Sequence, residues 1–506
     1  MRTLSSCFLV ICLACGGVRA IRPFTDAYPY TAVYGLEDCL RVGLARNLVL
    51  QNLVIDVHHA EADIEIARGV YDSSVSALGQ YEDSELPSSN VPVQGATKSL
   101  TFGGIVSKRF TSGTMFGFRA NSSRIRFTEA MAQVNPLHIS SLNIQMEHPL
   151  AGGGSTSDRA RIQIAESTRD TVALQVLIQQ DQIAAVIEDA FWSAFAARSL
   201  YLVHVSALER ARELLATNRK RFNDGLVDET DILAAEAALA TRDVDVLNLR
   251  NALSITEDRL RERMNLSPEL WDRVQFRYPR EEDLIVKKHN ADVDGALEVA
   301  EQNRPEPFLL RASLKRAEQT IELRRDEERP NVSLTGQLGL GDTSDEWKNS
   351  LSPDKTLWGV GVRYETSLDR TLERSQLRQA DLAAMKVKNQ LNNTRRTIAW
   401  EIRTAVRDLE AAYERVAATR KAKGLQARKL DLELEKVDQG RSSTRIVIEY
   451  QDDLSFAEFS VIEAIALYHQ AVIQMRLAQG TIVDKSQLYD AYRADMNGIA
   501  PGAASR

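Results

Sequence analysis

One stretch constrains the fold most: residues Ser157 to Asp224 contain neither proline nor glycine. The apolar residues in this stretch follow the heptad spacing of long helices packed side by side. At ~1.5 Å per residue, such a helix would be roughly 100 Å long, which is more than a compact domain of this size can hold. One register of mostly apolar positions takes alternating steps of four and three: Ile183, Ile187, Ala190, Ala194, Ala197, Tyr201, His204, Leu208, Ala211, Leu215, Asn218 and Phe222.

A glycine ends this predicted helix, and a second periodic run follows it. Gly225 stands where a left-handed C-terminal cap is expected, and the helical pattern resumes from Thr230 to about Met264. The sequence therefore predicts a helical hairpin over 157–265. A second hairpin is predicted over 368–479, with its turn at Gly440.

The chain repeats itself. Leu36 corresponds to Val293, 257 positions further on, and the motif VSxxGQ occurs at Val75 and again at Val332 with the same offset. Such self-similarity marks an internal duplication. We predict a first repeat over 21–290 with strands over 75–148, a second repeat over 291–482 with strands over 332–366, and a tail over 483–506. The first repeat is predicted to open with short helices from Leu36 to Arg46 and from Leu53 to Arg68, and Leu266 to Asn290 is interpreted as a connector between the repeats.

The predicted strands alternate polar and apolar residues, which is the pattern of a sheet with one apolar face. In the last strand the apolar set is predicted to face lipid and the intervening set to face a lumen. The apolar set is Trp358, Val360, Val362 and Tyr364, and the other set is Gly359, Gly361, Arg363 and Glu365.

The N-terminus predicts export. An apolar run from Leu4 to Cys15 is followed by a small-residue cleavage site ending at Ala20, so residues 1–20 read as a signal peptide. Lipid attachment at Cys15 is the alternative. Cleavage would leave Cys39 as the single cysteine, which excludes an internal disulfide. We expect no later apolar run of the ~20 residues that a membrane helix needs, so membrane contact requires a β-barrel or an anchor.

Composition excludes several function classes. The net charge is −7 and no dense basic face stands out, which argues against nucleic-acid binding. No nucleophile–base motif or phosphate loop points to an enzyme or a cofactor. His58, His59 and Glu61 do not converge on one ion at helical spacing, so no metal site is expected. The basic run of Arg420, Lys421 and Lys423 is interpreted as a solvated helix face, with a lipid- or acid-binding patch as the alternative.

Several motifs along this duplicated pattern carry a family resemblance. They are Arg221-Phe222-Asn223-x-Gly225-Leu226-Val227 with Thr230-Asp231, then Arg304-Pro305-Glu306, Gly440-Arg441-Ser442, and Tyr468 with Leu477-Ala478-x-Gly480-Thr481. From Leu36 to Ile482 the chain resembles the TolC-type outer-membrane efflux protein family.

The resemblance implies a mainly α fold with a membrane β-barrel. It further implies a homotrimer in the outer membrane of a Gram-negative bacterium, extending into the periplasm. Each chain would give a few strands to one shared barrel in the outer-membrane lipid and two hairpins to one periplasmic tunnel. Chain physics agrees, because a few strands cannot close a barrel and open sheet edges are not viable in lipid.

The resemblance also implies partners and sites. A periplasmic adaptor would dock at the hairpin tips, at Gly225, Leu226, Gly440 and Arg441, although any helical hairpin favours glycine at its turn. Glu449 matches an acidic position at the closed end of the tunnel, with an ordinary solvated face as the alternative. The other such position holds Ile446.

The sequence departs from the family in three places. Thr230 and Asp231 are present, but their usual latch partners are replaced by Val437 and Ser442, so any latch is expected to use Arg441 or Arg445. The first strand region is about twice as long as the second, and its extra segment over 86–135 either enlarges the barrel or lies outside it. Ser367 replaces the proline expected after the last strand.

Two functions remain open at this point. The first is a passive exit duct that serves an inner-membrane transporter, either in a tripartite efflux pump or in type I secretion. The second is a periplasmic adaptor or coiled-coil scaffold without a pore. Tandem hairpins, each preceded by alternating strands, favour the duct.

Overall fold

The computed structural model describes residues 32–84, 97–127, 134–284, 286–288, 292–350 and 354–483. The signal peptide, Cys15 and nearly all of the tail lie outside these residues. The chain divides into two compact units that cut across the repeats. One unit comprises Met1–Ile55, Ala173–Leu309 and Asn392–Arg506, and the other comprises Asp56–Val172 and Leu310–Leu391.

Helices make up most of the described chain. They are α1 (Leu36–Arg46), α2 (Leu48–Arg68), α3 (Ser155–Asn223), α4 (Glu229–Arg263), α5 (Val293–Asn303), α6 (Pro305–Glu328), α7 (Trp347–Ser350), α8 (Thr371–Asp438) and α9 (Thr444–Gln479). The helices of the two repeats match in length. α1 and α5 have 11 residues each, α3 and α8 have 69 and 68, and α4 and α9 have 35 and 36. The two predicted hairpins are present within a few residues of their expected bounds.

The strands are β1 (Ala32–Tyr34), β2 (Ser73–Ser84), β3 (Thr97–Arg109), β4 (Met115–Phe127), β5 (Leu137–Ala151), β6 (Val274–Phe276), β7 (Asn331–Ser344) and β8 (Lys355–Glu365). Six of them form one sheet in the order β2-β3-β4-β5-β7-β8, and every neighbouring pair is antiparallel. The segment that makes the first strand region longer is the hairpin β3–β4, which lies inside this sheet between β2 and β5. Its place in the sheet is thus established, and its entry into a membrane barrel stays a prediction.

The unit that contains Ala173–Leu309, which we name the helical unit, has an apolar core built mainly from α1, α3, α4, α8 and α9. Phe191, Ile402 and Ile465 are each less than 2% exposed. At Gly43 the helices approach closely, because a Cβ there would lie 2.4 Å from the Cδ1 atom of Ile187. The predicted register of α3 is buried through most of its length, while Ala197, Tyr201 and His204 are half-buried and Phe222 is 43% exposed.

Three expectations need correction. The second helix begins at Leu48 rather than Leu53, because the Asn47 side chain accepts hydrogen bonds from the backbone N–H groups of Val49 and Leu50 and so caps it. The connector after the first hairpin contains β6, which pairs in parallel with β1. The helix α9 is long and apolar enough to cross a membrane by length and composition, with a mean hydropathy of 1.3. Of the apolar segment of α9 that has this hydropathy, 44% is buried inside the protein.

The two repeats leave the sheet differently. In the first, Gly152, Gly153 and Gly154 all have positive φ, and a Cβ at Gly152 would lie 2.4 Å from the carbonyl oxygen of Pro330. The Asp326 carboxylate holds this turn by accepting from the Gly153 backbone N–H at 3.1 Å and from Ser157 Oγ at 2.6 Å. The second repeat lacks the glycines and instead has Arg370 at a φ of 51°.

Candidate lumen, docking and constriction surfaces

The register of the sheet separates an apolar face from a polar one. Directly paired residues share a face, because the strands are antiparallel and successive side chains point to opposite sides. One set of paired positions, which we name the apolar row, is Val75, Val106, Phe118, Ile144, Leu338 and Trp358. The adjacent positions, the polar row, are Ser74, Ser107, Gly117, Gln145, Gln337 and Gly359.

The apolar face is exposed in the single chain. Within the apolar row, exposure runs from 44% at Val106 to 75% at Val75 and Trp358. Val360 and Val362 extend the same face at 72% and 67% exposure. An exposed apolar surface of this extent marks contact with lipid or with another molecule.

The opposite face carries polar and charged groups that pair across strands. Arg363 Nη1 lies 3.1 Å from Glu147 Oε1, and Ser333 Oγ donates to the same oxygen at 2.9 Å. Ser74 and Ser107 are joined by a 2.6 Å hydrogen bond. Arg363 therefore lies on the polar face of the sheet and Val362 on the apolar face, as the period of two predicts. Such a face suits a water-filled lumen.

The two hairpin tips have the same backbone geometry. Gly225 and Gly440 have φ values of 70° and 69°. At each tip the glycine N–H bonds to the carbonyl three residues back, and the next residue's N–H bonds to the carbonyl five residues back. This is the Schellman motif that glycine favours. A Cβ would meet nothing within 4 Å at either glycine, so both tips are open to a partner.

Near the tips, a buried asparagine joins the two hairpins. Asn218 is fully buried, and its Nδ2 donates to Thr444 Oγ1 at 3.0 Å and more weakly to the Asp231 carbonyl at 3.4 Å. Sequence reasoning placed Asn218 only in the helix register of α3. A polar residue at a core position of a heptad was the available signal, since such residues often fix register.

The predicted latch and constriction residues are placed as follows. Glu449 is exposed on α9, and its Oε2 lies 3.9 Å from Arg445 Nη1 one turn earlier. Arg441 bonds to Gln439. Thr230 is exposed and Asp231 half-buried. Among the described contacts, neither of these two side chains meets Arg441 or Arg445, so the latch and the constriction stay predictions.

Two of the family motifs meet in the helical unit. Arg304 donates to both carboxylate oxygens of Glu306, at 3.1 and 2.7 Å, and also bonds to Glu401. Burial alone would lower the pKa of the Arg304 guanidinium, but these carboxylates raise it above its ordinary value. Gly480 packs closely against the backbone next to Arg304, because a Cβ on Gly480 would lie 2.8 Å from the Asn303 carbonyl oxygen.

An ion pair with a buried carboxylate joins α3 and α9. Arg476 Nη1 lies 3.2 and 3.1 Å from the two carboxylate oxygens of Glu188, whose side chain is 6% exposed. Burial raises the pKa of Glu188, and the positive charge of Arg476 partly opposes that rise. No local pattern predicts this pair, since its members are 288 positions apart.

The remaining candidate residues are placed as follows. Among the described residues, no group of His, Cys, Asp and Glu side chains is arranged to hold a metal ion. His58 Nδ1 lies 3.0 Å from Glu61 on the exposed face of α2. Burial raises the pKa of Cys39 to about 12, which keeps the thiol protonated and unreactive.

We expected the basic run of α8 to be a solvated helix face, but two of its three side chains contact the segment between the repeats. Lys423 Nζ lies 3.1 Å from Glu281 Oε1, and Arg420 donates to the Leu284 carbonyl at 3.2 Å. Two of its three cations therefore fix the connector between the repeats. Lys421 is exposed.

With this geometry established, the chain can be compared with known proteins. No family model matches it. It is 24% identical over 259 residues to the outer membrane protein TolC of Salmonella enteritidis, covering 49% of this chain and 51% of that protein. It is 24% identical over 307 residues to TolC of Escherichia coli K12, covering 54% and 59%. The chain thus spans between half and three-fifths of the length of these relatives.

Solved structures match over most of the chain. CusC matches with a TM-score of 0.67 at 12% identity, over 90% of this chain and 95% of that one. The CmeC outer-membrane channel of Campylobacter jejuni matches with 0.66 at 14%, over 91% and 88%. The outer membrane protein VceC of Vibrio cholerae matches with 0.65 at 12%, over 88% and 96%. These similarities establish the fold.

The class follows from the duplicated hairpins, the two-faced sheet and these matches: the chain has the fold of the outer-membrane channels. Over about half of its length it is similar in sequence to the outer membrane protein TolC. Among the solved structures that it resembles, CmeC and OprN are described as outer-membrane channels.

Proposed function

We propose that this chain is the exit duct of a tripartite efflux pump or a type I secretion system. Three copies form one passive tunnel from the periplasm through the outer membrane of a Gram-negative bacterium. An inner-membrane transporter supplies the energy, and a periplasmic adaptor bridges it to this chain. The duct supplies a path for cargo and catalyses no reaction.

One observation supports the proposal. In each repeat, strands of the two-faced sheet come directly before a long helical hairpin in the chain, which is the order expected of a membrane-facing element followed by a periplasmic one. A scaffold without a pore has no use for an exposed apolar sheet face. A sheet with open edges must also find partners before it can lie in lipid.

The first hairpin offers a surface for a neighbouring copy. Its return helix α4 leaves four apolar side chains more than half exposed: Leu233, Val244, Leu247 and Ile255. Exposed apolar residues spaced along one helix are expected to be covered by another protein surface. A second copy of this chain is the partner that the trimer supplies.

The proposal is tested by fractionation and by conductance. We expect the protein in the outer-membrane fraction, as a trimer that runs as a monomer in gels only after heating. We also expect ion-conducting channels when the purified trimer is added to a planar bilayer. A soluble periplasmic monomer without channel activity would contradict the duct and favour the adaptor or scaffold.

The adaptor is proposed to dock at the hairpin tips. Leu226 is 66% exposed, and Gly225 and Gly440 present open backbone beside it and beside Arg441. Cysteines at Asp224 and Gln439 should crosslink to the adaptor in intact cells, and a cysteine at Ser254, exposed further along α4, serves as the control. Crosslinking that is no stronger at the tips than at Ser254 would contradict tip docking.

The class of cargo is tested in a deletion strain. Loss of a small-molecule pump raises intracellular accumulation of fluorescent efflux substrates, whereas loss of a secretion duct traps a polypeptide inside the cell. Restoration by the wild-type chain, together with loss of transport in Ala194→Trp, would tie the transport to the folded protein. Ala194 is completely buried, so overpacking there is expected to disrupt the helical unit.

A further inference from the structure

The number of strands in the sheet has a consequence for the pore. Within the described residues the sheet ends at β2 on one side and at β8 on the other. Its six strands alternate in direction, because every neighbouring pair is antiparallel. The two edge strands therefore run in opposite directions. The β8 edge of one copy can pair antiparallel with the β2 edge of the next, without a change of strand direction anywhere in the ring.

The hairpin β3–β4 contributes residues to both faces of the sheet. Its residues Val106 and Phe118 belong to the apolar row, and Ser107 and Gly117 belong to the polar row. Both rows continue without interruption from β2 to β8. An inserted hairpin lying outside the membrane would have no reason to keep this alternation in register with its neighbours.

The apolar stretch also shifts steadily from strand to strand. It is centred near Leu78 on β2 (Val75 to Tyr81) and near Gly361 on β8 (Trp358 to Tyr364). Directly across the sheet, however, Leu78 aligns through the ladder with Lys355, six residues before Gly361. The apolar band therefore runs obliquely to the strands.

This offset gives the inclination of the strands. Six residues correspond to ~20 Å along a strand, and the five steps from β2 to β8 correspond to ~24 Å across the sheet. A band that lies level in a membrane then requires strands tilted by ~40°, within the ~35–45° of closed membrane barrels. The sequence pattern of a single chain thus already contains the tilt of a closed barrel.

We propose that three copies close edge to edge, β8 to β2, into one barrel of eighteen strands. This rests on the proposed trimer and adds the make-up of its membrane part. Strands equivalent in both repeats would supply four per chain, hence twelve, and the hairpin β3–β4 adds two more per chain. Because barrel diameter grows with strand number, the lumen is correspondingly wider.

The register at the junction between copies follows from the same band. If the band continues level onto the next copy, Val362 on β8 lies opposite Ala77 or Gly79 on β2, all three on the apolar face. Residues directly opposite each other have Cα atoms ~4.5–5.5 Å apart, within reach of a disulfide, whereas diagonal neighbours are ~7–8 Å apart. Paired cysteines therefore report the register.

The test uses the full-length protein in outer membranes. Val362→Cys is combined with Ala77→Cys or with Gly79→Cys, and mild oxidation should convert at least half of the trimer into covalent dimers and trimers for one of these two pairs. Val362→Cys with Leu78→Cys, on opposite faces, should give less than a tenth of that yield. Single-cysteine variants measure the background from Cys39, which is completely buried.

Two failures remain distinguishable. If native gels show trimers, neither pair crosslinks, and Ala77→Cys instead crosslinks to Leu142→Cys on β5, the barrel has twelve strands and the hairpin β3–β4 is excluded from it. That result overturns the eighteen-stranded barrel and leaves the duct intact. If no trimer forms in the outer membrane, the proposed function itself fails.

Discussion

The two return helices, α4 and α9, have nearly the same length and the same place in their repeats, but opposite surroundings. α4 has 35 residues, of which Ala235, Arg242 and Leu260 are buried. α9 has 36 residues, of which fifteen are buried. The duplication thus preserved helix length, which the local sequence encodes through its periodic pattern and its glycine caps. Burial was not preserved, because it depends on what packs against each helix.

This difference explains two observations. α9 passes the composition test for a membrane helix because it forms part of the core of the helical unit. α4 keeps apolar residues such as Leu247 exposed because, in our proposal, its cover comes from a neighbouring copy. The comparison predicts that identical substitutions act inside the chain on one helix and between chains on the other.

The sharpest test compares Ile465→Ala in α9 with Leu247→Ala in α4. Ile465 is completely buried, so its truncation leaves a cavity and should cost about 4 kcal/mol in the free energy of unfolding. Leu247 is 63% exposed, and its truncation should change the stability of the chain by less than about 0.5 kcal/mol.

Denaturant unfolding in detergent measures the first effect, and native gels measure the fraction of trimer. Leu247→Ala should reduce that fraction while leaving the unfolding of the chain unchanged. Equal destabilisation by the two variants would mean that α4 is already covered within its own chain, and the comparison would collapse.

The second test compares the entry to each repeat. Asn47 and Arg304 are 257 positions apart and stand between the first two helices of their repeats. Asn47 acts as a helix cap, while Arg304 anchors Glu306 and Glu401. Arg304→Ala strands two carboxylates beside a buried corner and should cost about 3 kcal/mol. Asn47→Ala should cost about 1 kcal/mol.

Melting temperatures of the two purified variants provide the measurement, with Arg304→Lys as the matched control. Lysine keeps the charge but cannot bind the two carboxylates in a forked geometry, so it should recover only part of the loss. Full recovery by lysine would show that charge alone, rather than the geometry of this corner, stabilises the second repeat.

The third test compares the faces of the last strand. Val360→Lys places a charge on the apolar face and should cost ~2–4 kcal/mol if the residue lies near the membrane midplane. Gly361→Lys points to the polar face and should be milder, although its Cβ would lie 3.1 Å from Thr335 Oγ1. Assembly is read as the yield of folded trimer in outer membranes. Equal losses would mean that the faces have been assigned incorrectly.

The fourth test concerns a half-buried histidine of α9 that has no counterpart in α4. His469 stacks on Trp192 with ring centroids 3.4 Å apart, and burial lowers its pKa to about 4. The unfolded chain protonates this ring near pH ~6.5, so the stability that it contributes is present above ~6.5 and is lost as the pH falls towards ~4. Between pH ~7.5 and ~5 the loss should be about 2 kcal/mol.

His469→Phe keeps a stacked ring without a titrating group. Its melting temperature should therefore fall less than that of the wild-type protein over the same pH range, and His58→Phe on an exposed helix face should behave as wild type. If the melting temperature of His469→Phe depends on pH as strongly as that of the wild-type protein, groups other than His469 cause that dependence.

His469 also shows where sequence reasoning stopped. Helix lengths, the glycine turns and the alternation of Trp358 to Tyr364 were predictable because each is encoded within a few neighbouring residues. The pairs Glu188–Arg476 and Asn218–Thr444 were not, because they join residues more than 200 positions apart. The sequence signalled extra residues around β3 and β4, but their place in the sheet depends on pairing with β2 and β5, which local patterns do not specify.

The smallest expected effect concerns the tips of the two hairpins. Nine residues after Gly440 stands Glu449, whereas the position nine residues after Gly225 is Ala234. A trimer would therefore carry three carboxylates at this level rather than six. Ile446 fills the other position where the resemblance expects an acid, so the charge at the constriction is modest. Arg445, 3.9 Å from Glu449, partly offsets it.

These charges predict a weakly cation-selective channel, because a ring of carboxylates attracts cations at a constriction. Glu449→Gln should shift the reversal potential in a salt gradient towards that of a non-selective pore and should relieve the weak block by divalent ions. Arg445→Gln should act in the opposite direction, since it removes the cation beside each carboxylate. If both variants keep the wild-type selectivity and divalent block, Glu449 lies on an ordinary solvated helix face, and the difference between the two tips has no bearing on conduction.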